Sequence, residues 1–358
     1  MRFILLFSLL FTLKSHALVT DWYSTLPERS RFKTSDQLKA RVDFWAKIYS
    51  EYSENQGVFH LTYDPSVVLG EIDFSSIIDD PDLNAFQKEK LIKIKAEARK
   101  KELLRKFKIK DAGLVRLQRG LKERMKKAFF ISGKYLESME EIFMDEGLPV
   151  ELTRLVFVES SFNVYAQSKV GASGLWQIMP RTAPIHFIKK NYDKRNHPYY
   201  ATILAAQILK YNYSKLKSWP LAITAYNHGL AGVKRRMRKT QSIKIEELIA
   251  SDTDTRNWGF ASENYYASFL AVLQVERNAK ELFGDDMVRA KSLSYREYKL
   301  PAKTKSKKVL ALFNGSLTRF KQMNPHLNWA AIRKKKSVPA GVFLMIPEEN
   351  FGKLRAAN

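Results

Sequence analysis

Leu155-Val156-Phe157-Val158-Glu159-Ser160-Ser161-Phe162-Asn163, continuing through Ala166, Ser168 and Gly171-Ala172-Ser173-Gly174-Leu175-Trp176-Gln177, is the stretch from which the rest of the chain is best read. Val150 to Val158 are nearly all apolar apart from Glu151, Thr153 and Arg154, and Pro149 suits a first helical turn. The pattern predicts a buried helix that finishes at Glu159. A carboxyl group leaving an apolar helix at its C-terminal end is disfavoured as an anion twice over, by desolvation and by the negative end of the helix dipole. Such a group can stay protonated near neutral pH and serve as a general acid. For a glutamate taken alone, a solvent-facing helix end is the plainer reading. Ser160 to Ile178, with Gly171 and Gly174 among small polar residues, predicts a loop built for close backbone approach.

Outward from this stretch, 358 residues suffice for two or three compact units. Hydrophobic residues make up 45% of the chain and aromatic ones 12%, which argues against wholesale disorder. Met1-Arg2, the apolar run Phe3 to Leu13 and Ser15-His16-Ala17 have the order of a signal peptide, so residues 1–17 are expected to be removed. No later stretch is apolar for long enough to suggest a transmembrane anchor. The mature chain is expected to be exported, periplasmic or secreted, and a monomer. Cysteine is absent, which excludes disulfides, a thiol nucleophile and a thiolate metal site.

The formal charge is +24, and Lys88 to Lys127 hold 17 basic and 5 acidic residues, a net +12 that is half of that charge. No finger, basic zipper or aromatic RNA-binding signature accompanies this run, so nucleic acid is not the expected partner. An anionic polymer outside the cytoplasm, or simply a solvated helix face, fits it better.

Leu38 to Tyr52 reads as a helix with an apolar face of Val42, Phe44, Trp45, Ile48 and Tyr49, and Gly57 to Val68 as β-like and turn-rich. A helix is expected to start at Asp80-Pro81-Asp82 and run, basic throughout, from about Leu83 to Lys127 with a break near Asp111-Ala112-Gly113. Leu91, Ile94, Leu103, Leu104 and Phe107 recur on it at core-facing spacing, and Leu114, Leu117 and Leu121 continue the pattern on a second helix. Further helices are expected over 135–146, 196–217, 219–228 and 258–283.

The sequence from Glu159 to Gln177, with Pro180 and Thr182-Ala183 after it, resembles the family 1 lytic transglycosylases, relatives of goose-type lysozyme in glycoside hydrolase family 23. Ala225-Tyr226-Asn227 and Tyr265, in Glu263-Asn264-Tyr265, match two later signatures in order. Trp176, Arg41-Val42-Asp43-Phe44-Trp45 and Gly147-Leu148-Pro149 look like the membrane-bound transglycosylase D branch. The resemblance implies a lysozyme-like α-helical catalytic domain acting on peptidoglycan glycan strands without a cofactor. It implies Glu159 as general acid and then base, Ser168 and Gln177 hydrogen-bonding the sugar, Tyr226 and Asn227 lining the cleft, and Trp176 as a further substrate-binding residue. Tyr265 would orient the Glu159 carboxyl group. His228 stands where the family often has a small residue, and is either a packed rim residue or a sugar contact.

Most glycosidases flank the scissile bond with two carboxylates. Between Ser160 and Tyr192 there is no Asp or Glu, and Asp193 is the next acid after Glu159. One carboxylate favours the outcome that the family implies. In that implied outcome Glu159 would protonate the bond between N-acetylmuramic acid and N-acetylglucosamine, and the sugar's own 6-hydroxyl would close a 1,6-anhydro ring. Hydrolysis, with Glu263, Asp252 or Asp254 as a second acid, and a non-catalytic peptidoglycan binder are the alternatives. His60, His186, His197, His228 and His326 show no helical pairing with a carboxylate, so no metal site is expected.

Residues 295–350 show the strand-helix-helix-strand order of a LysM-like module, supported by Asn324-Pro325-His326-Leu327 and Pro339-Ala340-Gly341. Lys303-Thr304-Lys305-Ser306 replaces the usual glycine-aspartate-threonine turn. Glycan binding and a structural cap both stay open. The expected fold is mainly α: a basic helical N-terminal region (18–130), a lysozyme-like catalytic domain (131–285) and a small α+β LysM-like C-terminal unit (286–358).

Overall fold

The computed structural model describes residues 19–251 and 258–353. The expected signal peptide, Asp252 and Asp254 lie outside the described residues. The protein is mainly α-helical with small antiparallel sheets, and its chain divides into two compact units. The described parts of one are residues 19–21, 131–207 and 288–353; those of the other are 22–130, 208–251 and 258–287. No described helix is long and apolar enough to cross a membrane.

The second unit is centred on the helix Phe260–Arg277, which is buried almost all round. The helices Asp36–Ser50 and Trp219–His228 pack against it. All five apolar residues expected to face inward from Asp36–Ser50 are buried. Arg41 Nη1 and Trp45 Nε1 both donate to Asn264 Oδ1, at 3.0 and 3.1 Å, so buried polar groups fix the helices' register.

The N-terminal region is not purely helical. Gln56–Leu61 is the middle strand of an antiparallel sheet, flanked by Val68–Asp73 and Val115–Arg119. The expected helix through Leu114, Leu117 and Leu121 is therefore a strand as far as Arg119; the next helix is Lys122–Ser132. Three- and four-residue spacing of leucines mimicked a helix. The periodicity that counts is two: Val115 and Leu117 pack into the sheet's core with Phe59 and Phe74. Arg116, between them, lies 4.4 Å over the Phe260 ring.

The basic helix spans Ala85–Lys106, and it starts at Asn84 rather than at Asp80-Pro81-Asp82. Asn84 Oδ1 accepts from the Gln87 N–H and Gln87 Oε1 from the Asn84 N–H, a reciprocal capping box. Of its expected core residues only Leu103 is buried; Leu91, Ile94 and Phe107 are exposed. The sheet's core takes one stripe of this helix, Ile92, Ala96, Leu103 and Leu104, and cannot cover the other faces of its 22 residues.

In the first unit, Val150–Arg154 is a 3-10 helix that runs into an α-helix, Leu155–Ser160, in place of one continuous α-helix. Its C-terminal part pairs Tyr295–Lys299 with Phe343–Pro347, antiparallel, around the helices Ser306–Ala311 and Leu317–Met323. A third helix, Trp329–Lys335, joins them, and Phe313, Phe320, Leu344 and Ile346 form the centre of this core.

Candidate active site

Glu159 sits in the last turn of Leu155–Ser160, half-buried, just after the fully buried Leu155, Val156 and Phe157. The helix ends because the chain turns left-handed at two consecutive non-glycine residues, Ser161 (φ 50°) and Phe162 (φ 57°). Such backbone is costly and persists only where packing fixes it. Phe162 supplies that packing, buried with its ring 4.6 Å from Phe157. Ser160 Oγ donates to Leu175 O at 2.8 Å, which ties the glutamate's helix to the following loop. At the base of the helix Arg154, wholly buried, pairs with Glu140.

The loop from Asn163 to Ile178 is held by its own polar groups. Ser168 Oγ accepts from the Ala172 N–H at 2.9 Å. Gln177, itself left-handed at φ 45°, donates from Nε2 to Ala166 O and Gly174 O. Both amide hydrogens are thereby used inside the loop, which leaves Oε1 as the atom of this side chain able to accept a further hydrogen bond. The burial of Trp176 corrects the expectation that it binds substrate. It is fully buried, stacked on Phe143 at 5.6 Å, and its indole N–H donates to Thr202 Oγ1 at 2.9 Å. A large ring with an internal partner for its N–H is a core residue.

Residue-by-residue reading missed what holds this loop from below. Arg195 is buried, and its Nη1 donates to Gly171 O at 2.7 Å and to Ile178 O at 2.9 Å. Its Nε and Nη2 grip Asp193, at 3.0 and 2.6 Å. Gly174 (φ 77°) must be glycine for a second reason, since a Cβ there would lie 2.3 Å from Arg195 O. The Asp-x-Arg spacing was visible as an i,i+2 pair, but nothing in it told which carbonyls the guanidinium would reach. Asp193, the next acid in sequence after Glu159, is thus fully engaged with Arg195.

Glu159, Ser168 and Gln177 share the first unit; Tyr226, Asn227 and Tyr265 belong to the second. There, Tyr226 is half-buried and Asn227 exposed at the end of Trp219–His228, while Tyr265 is buried on Phe260–Arg277. His228 is a packed residue: its Nδ1 is 2.8 Å from Ser262 Oγ, and its ring occupies the space that a Cβ on Gly232 would take. Burial, then Arg235 and Arg236, hold its pKa below the ordinary imidazole value. Glu263 lines a cleft of about 420 Å³ with Gln37, Arg41, Tyr63, Asp64 and Glu246. Burial raises the Glu263 pKa against the opposing pull of Arg41 and Arg236.

Residues 140–249 match the Transglycosylase SLT domain family. The membrane-bound lytic murein transglycosylase D of Escherichia coli is 25% identical over 214 residues, 58% of this chain and 45% of that protein. The chain thus spans under half the length of this relative. Among solved structures, an inactive mutant of the lytic transglycosylase Slt of Pseudomonas aeruginosa is 22% identical, covering 41% of this chain and 24% of that one at a TM-score of 0.32. The 70 kDa soluble lytic transglycosylase of Escherichia coli is 23% identical over 44% of this chain and 24% of its own, at a TM-score of 0.29.

Proposed function

Taking residues 140–249 as a transglycosylase SLT domain, we propose that the protein is an exported lytic transglycosylase that cleaves the β-1,4 bond between N-acetylmuramic acid and N-acetylglucosamine in peptidoglycan. Glu159 donates its proton to the glycosidic oxygen as the bond to C1 breaks. The 6-hydroxyl oxygen of the same muramyl residue then bonds to C1, and its proton returns to Glu159. The products are a 1,6-anhydro-muramyl end and a free 4-hydroxyl, with Glu159 restored and no water consumed. An intramolecular hydroxyl outcompetes water through its effective concentration when it is held in place.

The observation that carries this reading is the fate of Asp193. Most hydrolytic glycosidases use a second carboxylate, free to attack or to activate water. The stretch after Glu159 has no acid before Asp193, and that carboxylate is gripped by Arg195 through two nitrogens. Ser168 Oγ and Gln177 Oε1 are assigned to hydrogen-bonding the sugar, Tyr226 and Asn227 to the cleft wall, and Tyr265 to orienting Glu159. Trp176 supports the loop from within.

Digestion of purified sacculi by the full chain, followed by mass spectrometry, tests the proposal. Anhydro-muramyl ends are expected; only water-added reducing ends would assign a lysozyme instead. Glu159→Gln is expected to lower the rate at least about a hundredfold, the usual contribution of an acid-base group. A variant that cleaves at the wild-type rate would remove Glu159 from the mechanism.

A further inference from the structure

The C-terminal LysM-like part belongs to the same compact unit as the glutamate's loop. One short segment, residues 187–200, touches both, and beside it the hydroxyl of Tyr165, in the loop itself, donates directly to Lys321 O at 2.7 Å. Toward the C-terminal part, the Asp193 N–H donates to His326 O at 2.7 Å, and the Asn328 N–H donates to Asn191 O at 2.9 Å. Tyr192 forms a β-bridge with Leu327 and packs against the C-terminal core. Beyond it, His197 Nε2 lies 3.1 Å from Glu297 Oε1, and the Tyr200 hydroxyl donates to Glu297 Oε2 at 2.9 Å. The His197 and His326 rings are 4.4 Å apart, both buried. Lys194 lies over the Tyr200 ring at 4.1 Å.

Toward the glutamate's loop the same segment offers Arg195, whose guanidinium reaches Gly171 O and Ile178 O. Ser173 Oγ also donates to Asn196 Oδ1 at 2.7 Å. The side chain that holds the loop is itself held by Asp193, and the Asp193 backbone N–H is the one bound by His326 O. A series of hydrogen bonds thus leads from the C-terminal core through residues 191–196 to Gly171, Ser173 and Ile178, and the same loop is tied at Leu175 O by Ser160 to the helix that carries Glu159. A merely adjacent glycan-binding module would need no such series. A linker with few crossing contacts would serve it better.

We infer that the C-terminal unit is a brace for the loop that frames Glu159, with Arg195 as the positioning residue that transmits it. The inference rests on the proposed role of Glu159 for its catalytic consequence, though not for its structural one. Arg195 contacts no reacting atom. It fixes carbonyls whose displacement would move Ser168 and Gln177, and misplacing groups by about 1 Å can cost a hundredfold in rate.

Two readouts on the full chain test it: amide hydrogen exchange, and steady-state cleavage of sacculi. The variants are Arg195→Lys, which keeps the charge and loses the fork, Leu327→Ala, which loosens the C-terminal side, and the milder Glu297→Gln. In Arg195→Lys and Leu327→Ala, amides of residues 166–178 are expected to exchange at least about tenfold faster, with the helix Asp36–Ser50 unchanged as the internal control for global unfolding. Glu297→Gln is expected to move the same amides, by less. The rate constant kcat is expected to fall at least about tenfold in Arg195→Lys while KM and retention on sacculi stay within about twofold. Faster exchange confined to residues 295–347 in Leu327→Ala and Glu297→Gln would overturn the brace. So would a loss of sacculus retention in proportion to activity, which marks a binding module. If the wild-type chain cleaves no glycan, the proposed function fails by itself, and the exchange experiment still decides the brace.

Discussion

The loop from Asn163 to Ile178 and the basic helix Ala85–Lys106 are both polar stretches of comparable length, and the molecule treats them in opposite ways. The loop has almost no regular structure, yet Val164, Ala172 to Trp176 and Ile178 are buried and its carbonyls are bonded from several directions. The helix is regular from end to end, yet Leu103 is its one buried residue. The difference follows from backbone bookkeeping. A helix satisfies its own N–H and C=O groups and can stand with one face against a small sheet. A buried loop cannot, so each of its polar groups needs a partner elsewhere in the fold. Rigidity here is supplied by tertiary contacts where secondary structure is absent.

The strongest way to break this comparison is at the base of the glutamate's helix. Arg154→Ala removes an ion-pair partner of a buried carboxylate, Glu140. It is expected to cost about 3–5 kcal/mol, read from the urea midpoint of the full chain. Replacing both residues, as Arg154→Met with Glu140→Leu, is expected to recover most of that loss, because the penalty lies in the orphaned charge. A single variant as stable as wild type would mean that this side of the molecule is not held by burial.

Much of this was legible beforehand, and the boundary of legibility is physical. The buried glutamate helix, the glycine loop, the Asp36–Ser50 face and the paired C-terminal strands all depend on periodicity and local turn chemistry, which sequence carries directly. What was misread depends on partners distant in the chain. Val115–Arg119 became a strand because Gln56–Leu61 pairs with it. Trp176 became core because Thr202 and Phe143 receive it. Arg195 became a clamp because two loop carbonyls lie within its reach. For the basic helix, apolar residues at helical spacing indicated a core that the small sheet does not extend far enough to provide.

An intermediate effect uses pH to sharpen the contrast. His326 and His197 face each other with Glu297, Lys194 and Tyr200 around them. Burial first, then the charge of His197, holds the His326 pKa well below 6.5; burial also lowers the His197 pKa, against the opposing pull of Glu297. The unfolded chain therefore takes up protons that the folded one refuses. This contribution to stability is fully present above about pH 6.5 and is lost as the pH falls below it. The melting temperature of the full chain is expected to drop between pH 7.5 and 5, on the order of the range where His titrates. Amides of residues 187–200 should loosen before those of the basic helix, and His326→Gln should flatten the profile. A wild-type profile without slope would refute it.

The smallest effects belong to the helix, and they test the other half of the comparison. If Ala85–Lys106 stands by local bonds, its cap should matter more than its outward apolar residues. Asn84→Ala breaks the box with Gln87 and is expected to cost about 1 kcal/mol, as N-caps do. Ile94→Ser and Phe86→Ser alter side chains that are 55% and 76% exposed, and each is expected to shift stability by no more than about 0.5 kcal/mol. The ranking is the informative part. Should Ile94→Ser destabilise more than Asn84→Ala, the outward face must be covered in solution, and the helix would owe its stability to packing after all, as the loop does.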